Sequence, residues 1–216
     1  NTLFQLLAAD LKGAKTLLFM PDLFAYMLCG NAVCETTIAS TSQMLSPQTA
    51  NWSAAVQTAF QLPENLFAPL VKSGTVIGTY KNAKVISVAG HETQCAVAAL
   101  PTNAQNVAFL SCGTWSLLGT ELEQPVLTAE SMHENLSNEI GANGKINYLK
   151  NIIGLWLIQE SRRAWKRKGE AYSYADLESL ALAAKPLQCF IDPDAPEFTP
   201  PGDIPARVQE FCRKTG

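Results

Sequence analysis

The sequence predicts an α/β protein in which a central run of strands is flanked by helices. β-Branched and apolar residues favour a strand at 75–80. Residues 107–120 read as an apolar run, a Gly-containing turn and a second apolar run, which is typical of a β-hairpin. Helical patterns dominate before and after this region. The predicted elements change from mainly helices to strands at residues 72–83. This change predicts a domain boundary that divides the chain into 1–80 and 81–216.

The clearest predicted element of the first part is a helix that ends before Gly30. Pro21 suits a first helical turn, the apolar residues 23–28 continue it, and Gly30 suits a C-terminal cap. Residues 36–41 are β-branched and polar, and they predict a short strand or a substrate-facing loop. The other predicted segments are helices at 3–12 and 52–60 and a looser connection at 63–71.

In the second part, a strand at 84–89 leads into a small-residue helix at 92–100, which Pro101 stops. A long helix is predicted over 151–167, where apolar residues recur at helical spacing. The remaining predicted segments are a helix from Ser173 with Asp176 in a capping-box position, a Pro-rich loop at 192–205 and a final helix.

The composition fits a core-forming globular protein, because 47% of the 216 residues are hydrophobic and 16% are charged. The net charge of −3 argues against nucleic acid as a partner. The densest basic run, 162–168, ends a predicted helix, where positive charge complements the helix dipole. No apolar stretch is long enough to span a membrane, so the sequence predicts no membrane partner.

The six cysteines include no CxxC pair, and His91 and His133 are the only histidines. So few histidines, without a CxxC pair, disfavour a zinc site. We therefore expect free thiols in a reducing cytoplasm and no protein-held metal. The chain begins without Met and stops just after a predicted helix. We therefore expect it to be a central piece of a longer protein.

Three positions form a constellation suited to phosphoryl transfer. A strand-to-helix turn delivers Glu92 to a helix N-terminus, and the hairpin turn delivers Thr114. A further helix is predicted to begin near Asn151. A carboxylate can accept the proton of an alcohol, while backbone and hydroxyl donors of a Gly-containing turn can hold a phosphate oxygen. This combination is what transfer of a phosphoryl group to an alcohol requires, but an ordinary β-hairpin with a polar turn explains residues 107–120 equally well.

Three strings resemble the FGGY carbohydrate kinases, and within that family the rhamnulokinases. They are Gly90–Gln94 (GHETQ), Ser111–Gly119 (SCGTWSLLG) and Leu149–Glu160 (LKNIIGLWLIQE). Met20–Asp22 and Glu35–Thr41 also match, and the resemblance extends over nearly the whole chain. It implies an α/β fold of the actin/hexokinase-like (ribonuclease H-like) kind, partial here, with sugar and ATP in the cleft between two domains.

The resemblance also implies a role for individual residues. Glu92 is similar to the catalytic base that deprotonates the sugar hydroxyl, and His91 and Thr93 are similar to its sugar-contacting neighbours. The implied reaction converts L-rhamnulose and ATP to L-rhamnulose 1-phosphate and ADP, with Mg²⁺ bridging the phosphates. Another FGGY kinase, such as a fuculokinase, is the alternative within the family. The residues similar to ATP-binding positions are Thr114, Asn151 and Gln159.

Two departures from the family pattern stand out. The family has Asp where this chain has Glu92, so the carboxylate lies one methylene further out, and a misplacement of ~1 Å can cost on the order of 10²-fold in rate. The N-terminal phosphate motif and the Gly-rich adenosine motif of the family are absent from the chain. The competing hypotheses are a non-catalytic sugar- or nucleotide-binding relative and a structural fragment that is inactive alone.

Each of these residues also has a structural interpretation. Glu92 could be a partner of the helix dipole, and His91 could bond to nearby backbone. Thr114 could be an ordinary hairpin residue, Asn151 a helix N-cap and Gln159 a solvated helix residue. The residues predicted to be packed in the core are Trp115, Trp156 and Cys112.

Overall fold

The computed structural model describes residues 1–102, 104 and 106–215, which form a mixed α/β chain. The helices are α1 (Thr2–Ala8), α2 (Met20–Cys29), α3 (Thr36–Ser40), α4 (Ala54–Ala59), α5 (Glu92–Ala98), α6 (Ala129–His133), α7 (Trp156–Arg167), α8 (Tyr174–Ala183) and α9 (Ile204–Thr215). The strands are β1 (Cys34–Glu35), β2 (Leu45–Ser46), β3 (Asn51–Trp52), β4 (Leu70–Val71), β5 (Val76–Tyr80), β6 (Ala83–Ile86), β7 (Ala108–Cys112), β8 (Trp115–Leu122), β9 (Leu136–Ile140) and β10 (Ile146–Ile153). No helix in the described ranges is both long and apolar enough to cross a membrane.

These elements belong to two compact units. The first unit joins Asn1–Phe109 with Gly119–Lys150, and the second joins Leu110–Leu118 with the chain from Asn151 onward. The division into domains at residues 80 and 81 stays a prediction, and the compact units change near residue 109.

Helix α2 confirms the helix predicted before Gly30. Pro21 lies in its first turn, and Gly30 follows its last residue at φ 76° and donates its N–H to the Tyr26 carbonyl at 2.7 Å. Glycine adopts this left-handed conformation without steric cost, because it has no Cβ. The two punctuating residues therefore set both ends of the helix.

The prediction of a strand or loop at 36–41 is wrong, because this segment forms helix α3. The side chain of Glu35 caps the helix: its Oε2 accepts hydrogen bonds from the backbone N–H groups of Thr37 at 2.9 Å and Ile38 at 3.2 Å. β-Branched residues have a modest preference against helices. A capping bond inside the protein outweighs that preference here.

The predicted hairpin is confirmed as strands β7 and β8, which begin a four-stranded sheet of order β7-β8-β10-β9. Strands β9 and β10 pair in antiparallel fashion, with Ile146 opposite Ile140 and Lys150 opposite Leu136. Their connection contains Gly144 at φ 84°. Asn-Gly between two apolar runs is a strong hairpin signal, and residues 143–144 would have predicted this pair.

The helix predicted over 151–167 begins later than its sequence pattern indicates. Asn151 lies in strand β10, and α7 covers only Trp156–Arg167, with Leu155 as the N-cap. Asn151 is therefore not a helix cap. The apolar residues Ile152 and Ile153 belong to strand β10 and not to the helix, because they are part of the paired sheet. Sequence spacing alone cannot reveal that pairing.

The core of the second unit consists of Leu157, Ala195, Phe198 and Ile204, with Trp156 partly buried against it. Two other residues predicted to be packed are exposed: the Trp115 side chain at 60% and Cys112. The capping box predicted at the start of α8 is confirmed. The Ser173 Oγ accepts the Asp176 N–H at 3.1 Å, and the Asp176 Oδ2 accepts the Ser173 N–H at 2.8 Å.

Candidate functional site

A single short segment of the first unit carries the three residues expected to act on the sugar. Strand β6 ends at Ile86, and after five intervening residues helix α5 begins at Glu92, with His91 as its N-cap residue. The Glu92 side chain is exposed, and Thr93 is half-buried. Acidic charge in the first turn is favourable to the helix, so the structural role and a role as base are compatible at Glu92.

The His91 imidazole is held by a carboxylate from strand β9. Its Nδ1 lies 3.3 Å from the Glu139 Oε2, and both side chains are largely buried. The hydrogen bond to Glu139 raises the pKa of His91 above its ordinary value, against the opposing effect of burial, and the negative charge of Glu92 adds to the increase. With Nδ1–H donated to Glu139, the ring is oriented and Nε2 is left for another partner.

Two amides behind the imidazole complete a polar network that sequence analysis did not assign. Gln94 is fully buried, donates from Nε2 to the Glu139 Oε2 at 2.7 Å and lies 3.3 Å from the His91 Nδ1. The Asn147 Nδ2 donates to the Gln94 Oε1. Within the described ranges, the buried Asn147 Oδ1 has no hydrogen-bond partner. Gln94 stands in the matched GHETQ string, but nothing in the sequence marks Glu139 or Asn147 as its neighbours.

Two buried acids, Asp22 and Glu35, lie beside the same segment, and Glu35 is bonded to Gly90. The Asp22 side chain is 5% exposed, and its Oδ1 accepts the Glu35 N–H at 3.1 Å. Burial raises the pKa of Asp22 to about 6, with the negative charge of Glu35 adding to the increase. Burial also raises the pKa of the adjacent Cys34 thiol to about 12, so this cysteine is inert as a nucleophile at neutral pH.

In the second unit, the hairpin turn and helix α7 bring together two residues expected to bind ATP. The Leu155 N–H donates to the Gly113 carbonyl at 3.0 Å, and the Trp156 N–H donates to the Thr114 carbonyl at 3.1 Å. From the first turn of that helix, the Gln159 Nε2 donates to the Thr114 Oγ1 at 3.3 Å. An exposed hydroxyl and an amide therefore converge beside a tight Gly-containing turn.

The third residue expected to bind ATP belongs to the same compact unit as this pair but lies on strand β10. Asn151 is exposed on strand β10, and within the described ranges it makes no hydrogen bond to Thr114 or Gln159. The structure thus joins Thr114 with Gln159 in one unit, and His91, Glu92 and Thr93 in the other.

The sequence matches two domain descriptions of one family. The N-terminal domain of the FGGY family of carbohydrate kinases matches residues 8–108, and the C-terminal domain matches residues 108–214. Rhamnulokinase of Enterococcus faecalis is 39% identical over an alignment that covers 100% of this chain and 46% of the relative. Rhamnulokinase of Bacteroides thetaiotaomicron is 40% identical, with 100% and 47% covered. The chain therefore spans about half the length of the curated relatives it matches.

Solved structures share the fold at lower identity. A ligand-bound xylulose kinase from Lactobacillus acidophilus superposes with a TM-score of 0.66 at 16% identity, covering 85% of this chain and 40% of the other. A glycerol kinase from Plasmodium falciparum with ADP gives a TM-score of 0.58 at 16% identity, covering 76% and 34%. These likenesses confirm the predicted actin/hexokinase-like α/β fold, present here in part. Together with the two domain matches, they establish that the chain belongs to the FGGY family of carbohydrate kinases.

Proposed function

We propose that the longer protein containing this chain transfers a phosphoryl group from ATP to a ketose, with L-rhamnulose as the substrate and L-rhamnulose 1-phosphate as the product. One observation carries the proposal: an exposed carboxylate, Glu92, begins helix α5 beside a histidine whose ring is fixed by Glu139. This arrangement occurs in a chain that is 39% identical to a rhamnulokinase. Fuculose is the alternative ketose.

In this mechanism Glu92 is the general base. It accepts the proton of the sugar hydroxyl as the oxygen attacks the γ-phosphorus of ATP, and the bond from that phosphorus to the β-phosphate oxygen breaks to release ADP. His91, with Nδ1 held by Glu139, offers Nε2 to a second sugar oxygen, and Thr93 offers a hydroxyl. These contacts orient the reacting oxygen relative to the carboxylate.

We assign the phosphates of ATP to the turn that contains Thr114. Its hydroxyl is exposed and accepts a long bond from Gln159, so it can turn to donate to a phosphate oxygen while the amide retains the hydroxyl oxygen. We also assign a nucleotide contact to Asn151. A protein that consumes ATP works where ATP is made available, so we propose a cytoplasmic location.

The proposed reaction also requires Mg²⁺ to neutralise charge on the phosphates of ATP. No group of three His, Cys, Asp or Glu side chains among the described residues is arranged to hold a metal ion. We expect Mg²⁺ to be bound chiefly by the phosphates of ATP, since it usually keeps several waters and takes only one or two carboxylates from the protein.

The test is ATP-dependent phosphorylation by the full-length parent, measured on rhamnulose, fuculose and xylulose. We expect the highest kcat/KM with rhamnulose and a loss of turnover in the Glu92→Gln variant, because the amide cannot accept the proton. Thr93→Ser, which keeps the hydroxyl, is the matched control and should remain active. Turnover of none of the three ketoses would refute the assignment.

A non-catalytic sugar-binding relative is the second candidate, because the family has Asp at the position of Glu92. Calorimetry distinguishes the two functions. Binding of rhamnulose by the full-length parent with no product in the presence of ATP would favour the binding function over the kinase.

A further inference from the structure

Glu35 is a fully buried carboxylate with no part in the mechanism above. It ends strand β1, caps helix α3 and is 1% exposed. A buried carboxylate is costly unless hydrogen-bond donors replace its lost water. The surroundings of Glu35 supply those donors from several parts of the chain.

Some of these donors come from helix α3 and from the connection that follows strand β4. The Thr37 Oγ1 donates to the Glu35 Oε2 at 2.5 Å, and the backbone N–H groups of Thr37 and Ile38 donate to the same oxygen. The Ser73 Oγ donates to the other oxygen, Oε1, at 2.6 Å. These bonds fix the carboxylate in one orientation.

The distant donors come from the turn that immediately precedes the proposed base. The Gly90 N–H donates to the Glu35 Oε2 at 3.1 Å, and the His91 N–H donates to the Thr37 Oγ1 at 3.4 Å. Thr37 is itself held by Glu35, so both consecutive amides of the turn depend on one carboxylate. The approach is close: a Cβ at Gly90 would lie 3.0 Å from the Ile38 Cγ2.

We propose that Glu35 is a positioning residue for phosphoryl transfer. It fixes the backbone of Gly90 and His91, and thereby the place from which Glu92 reaches the sugar hydroxyl. Glu35 touches neither substrate. The inference rests on the proposed role of Glu92 as the base.

A purely structural role for Glu35 makes a different prediction. If the carboxylate only caps helix α3, its loss lowers the stability of the protein but leaves kcat per folded molecule unchanged. If it holds the turn, its loss lowers kcat in molecules that remain folded. Loss of the carboxylate then also speeds hydrogen exchange at the amides of Gly90 and His91, which Glu35 holds directly or through Thr37.

The experiment compares three variants of the full-length parent. Glu35→Gln keeps the shape of the side chain but replaces one accepting oxygen by an NH₂ group, which faces the surrounding N–H and O–H donors. Thr37→Val replaces only the hydroxyl, by a methyl group. Ser42→Ala is the matched control. Ser42 is fully buried at the other end of α3, where its Oγ donates to the Ala39 carbonyl at 2.6 Å and accepts the Met44 N–H at 3.1 Å. It makes no bond to the turn within the described ranges.

The measurements are kcat and KM for rhamnulose and ATP, thermal denaturation, and hydrogen exchange of peptides that cover residues 87–93. We expect Glu35→Gln to lower kcat about tenfold or more, since a shift of the base by about half an ångström costs on that order. The KM for ATP should stay within about twofold, because the ATP-binding residues proposed here make no bond to Glu35. Thr37→Val should show a smaller fall in kcat, and both variants should exchange Gly90 and His91 faster.

The outcomes separate the two levels of the proposal. A folded Glu35→Gln variant with wild-type kcat and wild-type exchange at the turn overturns the positioning role, as does a Ser42→Ala variant with an equal loss of kcat. If Glu35→Gln does not fold, Thr37→Val decides by the same criteria. If the wild-type protein phosphorylates no ketose, the proposed function fails, and exchange at residues 90–91 still tests whether Glu35 holds the turn.

Discussion

Substitution of Gly154 by alanine should damage the proposed phosphate turn from behind. Gly154 lies between strand β10 and helix α7, where an added Cβ would stand 2.9 Å from both the Gly113 carbonyl oxygen and the Ser116 nitrogen. It would be closer still to the Ser116 Oγ, but that side chain can rotate. The two backbone contacts cannot be relieved without moving the turn.

The size of the effect follows from these distances. Ordinary contact of a Cβ begins at 3.4 Å, so the Gly113 carbonyl must retreat by 3.4 − 2.9, or about 0.5 Å. Overpacking of this kind costs about 1–3 kcal/mol of unfolding free energy. If ~1 Å of misplacement costs on the order of 10²-fold, half of it at Thr114 should lower kcat/KM for ATP about tenfold.

The assay is an ATP titration of the full-length parent at saturating ketose, with thermal denaturation on the same samples. Gly78→Ala is the control, because its Cβ would lie 2.7 Å from the Cys29 Cβ, in the first unit. It should lose stability but keep the wild-type KM for ATP. Two results would refute the reasoning: a Gly154→Ala variant with unchanged ATP kinetics, or a Gly78→Ala variant with equally damaged ones.

Three other substitutions have defined outcomes. Thr114→Val should lower kcat/KM for ATP ten- to hundredfold and leave the KM for rhamnulose unchanged, since a bond to a charged group is worth about 1.5–3 kcal/mol; equal losses for both substrates in steady-state kinetics would contradict this. Glu92→Asp should raise kcat by restoring the carboxylate length of the family, and an unchanged or lower rate would count against that explanation. Folding raises the pKa of Asp22 from 3.8 to about 6, so the charged form is penalised as pH rises through that window. Asp22→Asn should therefore stabilise the protein above about pH 6, by at most about 3 kcal/mol, since one pKa unit corresponds to about 1.4 kcal/mol. This gain should vanish below about pH 4. Urea denaturation at both ends of the range measures it, with Asp10→Asn as the exposed control, and a gain independent of pH would be inconsistent with this cause.

Helix-capping and turn residues made much of the fold predictable from sequence. Pro21 and Gly30 bound helix α2, Ser173 opens helix α8 through its capping box, and the Gly113 turn joins strands β7 and β8. In each case the determining bonds form within a few residues of the chain. The family resemblance also predicted the fold, which the solved structures confirm. It suggested roles for the site residues, and those roles remain proposals.

Elements determined by distant contacts were not predictable in this way. Thr36–Ser40 is helical because the adjacent Glu35 caps it, and Ser73 and Gly90 hold that buried carboxylate from distant parts of the chain. Asn151 is in a strand because the sheet extends that far. The contact of Glu139 with His91 joins residues from different elements, and no local pattern announces it. Glu35 and Asp22 stood in matching strings, but their burial and their bonds came only from the structure.

The bond between Glu35 and Gly90 also bears on how the protein folds. The two residues are 55 positions apart, and closing a flexible loop of that length costs about 3.5 kcal/mol of chain entropy before any contact offsets it. The turn before Glu92 therefore cannot acquire its native geometry from neighbouring residues alone. It becomes ordered together with the long-range structure of the first unit, so the turn should reach its native geometry late in refolding, even though helix α5 itself is short and local.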